Sequence, residues 1–301
     1  MNGKIFVHIG LPKTATTTLQ MDFFPALQGE TIHYLGVIQP RNIRVQENLY
    51  IAVCEAISSG LLIDEARENL KAALSSGIRL ILSEEMITVS QPNVSWRTKL
   101  ENLSKILCDL DYTIILTVRE PTSAIFSYYI ELYRQFSKTG LSFLDLAKND
   151  ERMHIFHYGK LTEVLLRHFE RDRVFMKKFE DITSGKLDDL YRLITSGSHF
   201  EHSIQIHKHN EKKKDKGHTY TGKNVTLADM LRRFLLLTGL IDTPLASRAK
   251  GIMKPVISAL DRMTIGKQKV IQPSQQEIQQ LRDYLRGETL SLEKHFGIKY
   301  E

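Results

Sequence analysis

A glycine, a lysine and four threonines stand close together near the start of the chain, in HIGLPKTATTT at residues 8–18. They directly follow a short apolar run, KIFV. If that run is a strand and the threonines begin a helix, the first free N–H groups of the helix and the positive end of its dipole lie at the end of the strand. Lys13 adds a full charge, and hydroxyl donors favour phosphate or sulfate. The sequence therefore predicts an anion-binding loop.

A second segment has the same design, in TIILTVREPTSAIFSYY at residues 113–129. An apolar run leads into a charged turn, and Pro121 suits the first position of a helix. Arg119 at the end of the run offers a bidentate guanidinium, and Ser127 offers a compact hydroxyl about two turns into the helix. We predict that Arg119 and Ser127 bind a second anion.

The first loop is not a complete Walker A sequence. That motif requires a glycine before Lys13, where Pro12 stands, and another five residues earlier, where Val7 stands. The run before Arg119 also lacks the terminal aspartate that holds Mg²⁺ in such enzymes. These absences weaken the prediction of a P-loop kinase of nucleotides or small molecules, which we keep as the alternative to the main prediction.

Together, PKTATTTL and VREPTSAIFSYY resemble motifs of the PAPS-dependent sulfotransferases of bacterial type. The segment YGKLTEVLLRHFERDRVFMKKFEDI (158–182) resembles a later part of the same family, so the similarity covers roughly residues 4–195. The resemblance implies that the first loop holds the 5′-phosphosulfate and that Arg119 and Ser127 hold the 3′-phosphate. The loop residues implied as cofactor ligands are Lys13, Thr14, Ala15, Thr16, Thr17 and Thr18.

The resemblance also implies that Lys13 is catalytic, stabilising the bridging oxygen of the leaving adenosine bisphosphate. Ala15 departs from the family, which usually has glycine there. Because alanine carries a Cβ, it fits that position without strain only at negative φ. The family's C-terminal R-K-G loop is not evident, and Lys216-Gly217 or the lysines at 212–214 are the substitutes that we consider.

Transfer to an acceptor hydroxyl requires a general base. We select Glu84, because LILSEEM places it at the end of a buried strand, where open α/β sheets bind ligands. Glu85 is the next candidate, since alternation along a strand sends the two acids to opposite sides. Three further acids remain possible bases: Asp22, Glu30 and Glu47. His8 is expected to be a packed, hydrogen-bonded histidine within the first strand.

These residues require a scaffold of alternating strands and helices. Near-continuous apolar runs at 4–9, 79–83, 113–118 and 173–178 are typical of a parallel sheet buried on both faces. Helical periodicity follows the first and third runs, so we predict an α/β fold with a P-loop NTPase-like central parallel sheet flanked by helices. A helical C-terminal elaboration is predicted at 226–238, 246–262 and 274–296, within a single sulfotransferase domain over 1–301.

The remaining composition narrows the class of protein. The 301 residues carry a net charge of +6, and six lysines lie between 208 and 223. A module that uses these lysines to bind nucleic acid or an anionic membrane is an alternative from another class of protein. Our prediction is that nucleic acid is not a partner and that peripheral contact with a membrane is possible. Cys54 and Cys108 lack metal-ligand spacing and are expected to be buried thiols. No apolar run is long enough to span a bilayer, so we expect a cytoplasmic protein.

The sequence thus predicts a sulfotransferase that moves a sulfuryl group from PAPS to a hydroxyl, on a carbohydrate or glycolipid. A lid or acceptor-selecting segment is predicted at 199–270, and Tyr34, Tyr50 and Tyr220 are expected to stack on sugars. No metal is required, although four histidines lie at the start of this segment, at 199, 202, 207 and 209.

Overall fold

The computed structural model describes residues 3–37, 48–137, 139–197, 204, 221–226 and 264–300. The chain forms two compact units. The first comprises Met1–Tyr128, Ser142–Glu211 and Gln275–Glu301, and the second comprises Tyr129–Leu141 and Lys212–Ser274. The single domain over 1–301 and the lid at 199–270 stay predictions, and most of that lid lies outside the described residues.

The first unit contains a five-stranded parallel sheet. Its strands are β1 (Lys4–His8), β2 (Ile32–Gly36), β3 (Arg79–Ser83), β4 (Tyr112–Val118) and β5 (Val174–Lys178). Their order is β2-β3-β1-β4-β5, so that β1 lies in the centre with β3 and β4 as neighbours. The last four residues of β1 and the last six of β4 are buried, because helices cover both faces of the sheet.

Helices connect and cover these strands. After β1, α1 (Thr16–Thr18) continues into a π-helical segment (Leu19–Phe23) and α2 (Phe24–Ala26). The remaining α-helices are α3 (Asn48–Ser59), α4 (Ile63–Leu74), α5 (Trp96–Leu107), α6 (Pro121–Phe136), α7 (Phe143–Asn149), α8 (Tyr158–His168), α9 (Phe179–Thr183), α10 (Asp188–Thr195) and α11 (Gln275–Phe296). Short 3-10 helices span Glu85–Thr88, His154–Phe156 and Arg171–Arg173.

One side of the core lies between β1 and the helical segment that follows it. Leu19 and Phe23 from that segment are fully buried in a cluster with Phe6 of β1 and Ile81 of β3. Burial of each such side chain contributes roughly 1.5–3 kcal/mol. The segment is therefore fixed against the sheet by its apolar face, and the loop between β1 and α1 is held at both ends.

The predicted fold class is confirmed. Four strands lie within a residue of their predicted positions, the sheet is wholly parallel, and a lysine-containing loop joins β1 to the next helix as in P-loop NTPases. β2 was not predicted. At the C-terminal end, α11 matches the helix predicted at 274–296, whereas the helices predicted at 226–238 and 246–262 lie outside the described residues, apart from residue 226.

The second unit contains an antiparallel pair, β6 (Thr221–Thr226) and β7 (Thr264–Lys269). The pairing shifts register twice, between residues 221 and 224 and between 225 and 226. Within the same unit, the Tyr129 hydroxyl donates to the Ile271 carbonyl oxygen over 3.4 Å.

The expectation of buried cysteines is wrong for Cys108. Cys108 is exposed because it follows the last residue of α5 at the surface, and Cys54 is only partly buried. Both are free thiols. Burial raises the pKa of the Cys54 thiol to about 12, so Cys54 stays protonated at neutral pH.

Candidate functional site

The strand order brings the predicted site segments to one edge of the sheet. Since β3, β1 and β4 are parallel neighbours, their carboxyl ends meet, and with them the loop at 9–15, the acids Glu84 and Glu85, and Arg119. Two hydrogen bonds join the end of β1 and the start of the loop to the segment that follows β3. The Glu84 N–H donates to the His8 carbonyl oxygen over 3.1 Å, and the Thr88 hydroxyl donates to the Gly10 carbonyl oxygen over 3.1 Å.

Gly10 begins the loop where no side chain fits. A Cβ at this residue would lie 2.4 Å from Thr16 Cγ2, 2.7 Å from His8 Nε2 and 2.8 Å from Thr117 Oγ1. Because van der Waals repulsion keeps a Cβ more than about 3.0 Å from other heavy atoms, a side chain here would force its close-packed neighbours to move. Glycine therefore lets the loop pass directly over β1 and β4.

Two residues of the loop adopt the left-handed conformation without being glycine. Lys13 has φ 67°, and Ala15 has φ 66° and ψ 24°. Ala15 therefore does not take the negative φ at which an alanine fits without strain, and its Cβ carries a conformational cost of roughly 1–2 kcal/mol. Left-handed residues in a tight loop turn peptide N–H groups into a concavity that suits anions. Within the described part of the chain, the N–H groups of Thr14 and Ala15 donate to no protein acceptor.

The threonine hydroxyls have separate roles. The Thr14 hydroxyl is fully buried, donates to the Leu11 carbonyl oxygen over 2.6 Å and shares a 2.6 Å hydrogen bond with the Thr117 hydroxyl of β4. The Thr16 hydroxyl donates to Glu85. Thr18 is buried and Thr17 half-buried. The hydroxyls of Thr14 and Thr16 therefore hold the loop against its neighbours, so the binding predicted for these two residues falls to their peptide N–H groups.

The two candidate acids diverge where β3 ends. Glu84 is extended and accepts hydrogen bonds from the Met86 N–H over 2.7 Å and from the Tyr50 hydroxyl. Glu85 starts the 3-10 helix, and its carboxylate lies against Thr16 of the anion loop. Glu85 is thus hydrogen-bonded to Thr16, the first residue of α1, where the anion loop ends. Of the other predicted bases, Asp22 lies in the π-helical segment, Glu30 is exposed and Glu47 lies outside the described residues.

Arg119 links the two segments that are predicted to bind anions. It follows the last residue of β4, and its guanidinium donates to the Lys13 carbonyl oxygen over 3.4 Å. The guanidinium carbon also lies 4.4 Å from the ring centroid of Phe179, the first residue of α9, in a cation–π contact. Arg119 and Lys13 therefore belong to a single site.

The turn after Arg119 caps its own helix. The Glu120 carboxylate accepts hydrogen bonds from the N–H groups of Thr122 and Ser123, over 3.0 and 2.7 Å. The N-terminus of α6 is therefore satisfied internally. Ser127 is half-buried on α6, and its hydroxyl makes no hydrogen bond with the part of the chain that the structure describes. A second anion at this position must rely on Arg119 and Ser127.

Behind the loop lies a buried polar network around Ser83. The His8 imidazole is hydrogen-bonded through Nδ1 to the Ser83 hydroxyl over 2.7 Å, and Gln20 donates to the same hydroxyl over 3.1 Å. Burial lowers the pKa of His8 to about 3, so the ring is neutral. The expectation of a packed, hydrogen-bonded His8 is thereby confirmed, although its Nε2 has no partner among the described residues.

The expectation that Tyr34 and Tyr50 face a sugar is wrong. Tyr34 is buried and stacks on Phe24, with ring centroids 5.9 Å apart. Tyr50 is also buried, donates to Glu84 and lies beside Cys54. Burial raises the pKa of both hydroxyls, which stay protonated. Tyr220 lies outside the described residues.

Sequence reasoning missed a buried lysine beneath the acids. Lys99 of α5 has no solvent exposure, and its ammonium donates to the carbonyl oxygens of Met86 and Val89, each over 2.9 Å. Burial lowers the pKa of Lys99 to about 8. The available signal was its spacing, since Lys99 lies four residues before Leu103 on the apolar face of α5. Lys99 fixes the 3-10 segment that carries Glu85.

The described residues contain no cluster of three or more side chains able to hold a metal ion. All four histidines at 199–209 lie outside the described residues. The lysines at 212–214 and Lys216 are likewise outside the described residues. Within the described residues, no helix combines the length and apolar character that crossing a membrane requires.

No protein-family model matches the chain, and no curated protein is significantly similar to it in sequence. Among solved structures, the crystal structure of a sulfotransferase from Alicyclobacillus acidocaldarius is similar to this chain, with a TM-score of 0.45 and 12% sequence identity. The alignment covers 98% of this chain and 96% of that one. A likeness of this size assigns no activity to the chain.

Proposed function

We propose that this chain is a PAPS-dependent sulfotransferase acting on a hydroxyl of a carbohydrate or glycolipid. The observation that carries the proposal is the contact between the two cationic elements, in which the Arg119 guanidinium donates to the Lys13 carbonyl oxygen. PAPS has one anionic group on each side of its ribose, and two adjoining cationic elements suit such a ligand. A nucleoside monophosphate would use only one of them.

The donor set fits this cofactor. On the 5′ side, the Lys13 ammonium and the N–H groups of Thr14 and Ala15 would hold a phosphosulfate. On the 3′ side, Arg119 and Ser127 would hold a phosphate. When bound, PAPS supplies an activated sulfuryl group. Lys13 would neutralise the negative charge on the departing oxygen, and electrostatic stabilisation together with positioning accounts for most of the catalysis in transfers of charged groups.

The proton of the acceptor hydroxyl goes to a carboxylate after β3. Both Glu84 and Glu85 follow that strand, but Glu84 is already bound to Tyr50 and to the Met86 N–H, whereas Glu85 lies against the loop. These contacts favour Glu85 as general base over Glu84, which sequence reasoning had preferred. Glu84→Gln and Glu85→Gln separate the two, because loss of a general base lowers turnover by roughly 10² to 10⁴. The other variant should stay within about tenfold of wild type.

The test of cofactor class is thermal melting with adenosine 3′,5′-bisphosphate, with adenosine 5′-monophosphate and with ATP plus Mg²⁺. A ligand at about 100 times its dissociation constant adds roughly 2.7 kcal/mol to the free energy of unfolding. We expect the largest stabilisation from the bisphosphate. Lys13→Ala should lose both this stabilisation and sulfation of a glycan acceptor panel, whereas Lys105→Ala, which alters an exposed lysine on α5, should retain them.

One observation favours the kinase alternative. The Thr16 hydroxyl and the Glu85 carboxylate meet beside the lysine loop, and a hydroxyl and a carboxylate hold Mg²⁺ in P-loop NTPases. Stabilisation by ATP that requires Mg²⁺, with none from the bisphosphate, would replace the sulfotransferase proposal with this one. The absence of the Walker glycine before Lys13 counts against it.

A further inference from the structure

Among the described residues, the Tyr158 side chain is hydrogen-bonded to both peptide groups of Arg119. The ladder between β4 and β5 ends with the pair Val118 and Lys178. One residue further, the Arg119 N–H donates to the Tyr158 hydroxyl over 3.1 Å, and the same hydroxyl donates to the Arg119 carbonyl oxygen. Tyr158 thus satisfies both peptide groups of Arg119 at the point where the sheet no longer does.

Tyr158 is itself fixed on two sides. It is fully buried as the first residue of α8, and the N–H groups of Gly159 and Lys160 donate to Glu288 of α11 over 2.6 and 3.2 Å. Its ring stacks on Tyr300, with centroids 6.4 Å apart and an interplanar angle of 25°. The hydroxyl therefore has a position defined by α8, by α11 and by the segment after α11.

The segment after α11 is fastened to the same region. Lys178, the last residue of β5, places its ammonium 4.9 Å from the ring centroid of Tyr300 and donates to the Lys299 carbonyl oxygen over 3.0 Å. Burial raises the pKa of Tyr158, so its hydroxyl keeps the proton that it donates to Arg119. These contacts make a rigid support that ends at the backbone of Arg119.

We infer that Tyr158 is a positioning residue for Arg119 and thereby sets the preference of the site for a nucleoside 3′,5′-bisphosphate over a 5′-monophosphate. This inference rests on the proposed function, since it takes Arg119 as the ligand of the 3′-phosphate. Tyr158 acts through the peptide groups of Arg119. A guanidinium displaced from its fork geometry loses the bidentate contact that makes arginine a strong phosphate ligand.

The test is calorimetric binding of adenosine 3′,5′-bisphosphate and adenosine 5′-monophosphate to the full chain and to Tyr158→Phe. We expect the variant to bind the bisphosphate about tenfold more weakly, a difference of about 1.4 kcal/mol, and the monophosphate within about twofold of wild type. Tyr112→Phe is the matched control, because Tyr112 lies at the opposite end of β4, and it should change neither affinity.

A double-mutant cycle separates the positioning of Arg119 by Tyr158 from a general loss of packing around Tyr158. In an Arg119→Ala background, Tyr158→Phe should have no further effect on bisphosphate affinity, because the group that it positions is gone. Equal weakening of both ligands, an unchanged ratio of affinities, or additive effects in the cycle would each overturn the inference. If Tyr158→Phe fails to fold, Tyr300→Ala retains the hydroxyl but removes its support, and the same drop in the ratio is expected. A wild-type chain without preference for the bisphosphate would instead defeat the proposed function itself.

Discussion

Gly10→Ala tests whether the floor of the anion loop is as tightly packed as the structure indicates. The added Cβ would lie within 3 Å of three atoms, from His8, Thr16 and Thr117. All three side chains are buried, and each is hydrogen-bonded to another element: His8 to Ser83, Thr16 to Glu85 and Thr117 to Thr14. None is the flexible end of a long side chain, so the strain has no easy release.

The magnitude follows from these contacts. Overpacking a core by one methyl group costs about 1–3 kcal/mol, and three simultaneous short contacts place this site at the upper end. For a domain of this size, each kcal/mol lowers the melting temperature by roughly 2 °C. We therefore expect Gly10→Ala to melt about 6 °C below wild type.

Differential scanning calorimetry measures this shift, with bisphosphate affinity as a second readout. Gly29→Ala is the matched control, because no atom lies within 4 Å of a Cβ built there, and it should melt within about 1 °C of wild type. If Gly10→Ala melted as the control does and bound the bisphosphate normally, the close packing under the loop would be refuted.

Three further predictions concern the same unit. Ala15→Gly should raise the free energy of unfolding in urea by about 0.5–1 kcal/mol, since glycine carries no penalty at positive φ, and a decrease would show that Ala15 is unstrained. Glu288→Gln should lower it by about 0.5–1 kcal/mol through loss of the charged cap on α8, and an unchanged value would contradict that role. His8 alone should lower the stability by about 1.4 kcal/mol per pH unit below about pH 6.5, because the unfolded chain then protonates its imidazole while burial holds its folded-state pKa at about 3, where this contribution levels off. His157, whose pKa burial lowers to about 4, adds to the same slope. His8→Gln should reduce this slope, measured by urea unfolding between pH 7 and 5, and equal slopes would rule out His8 as a source.

The central strands could be predicted from the sequence because they are buried on both faces and therefore read as continuous apolar runs. β2 could not, since it is an edge strand of five residues whose His33 is exposed and whose last residue is Gly36. Alternation along β3 was a poor guide to the acids, because the strand ends at Ser83 and a 3-10 helix begins at Glu85.

The residues of the candidate site could be proposed from their types in the sequence, but the contacts between them could not. Tyr158 lies 39 residues from Arg119, and Thr16 lies 69 residues from Glu85, so these pairs depend on the register of the finished sheet. The left-handed conformation of Lys13 was equally hidden, because lysine is not a residue type that signals positive φ.

The contact between Arg119 and Lys13 spans 106 residues of sequence, and it exists only after β1 has paired with β4. Parallel pairing over such separations is slow, because the entropy of closing a long loop is lost before the contacts form. Ligand-binding competence should consequently emerge late in refolding. A ligand that bridges the two loops then binds the native chain and not the early intermediates, so it prolongs the lifetime of the folded state by slowing unfolding and leaves the rate of folding nearly unchanged.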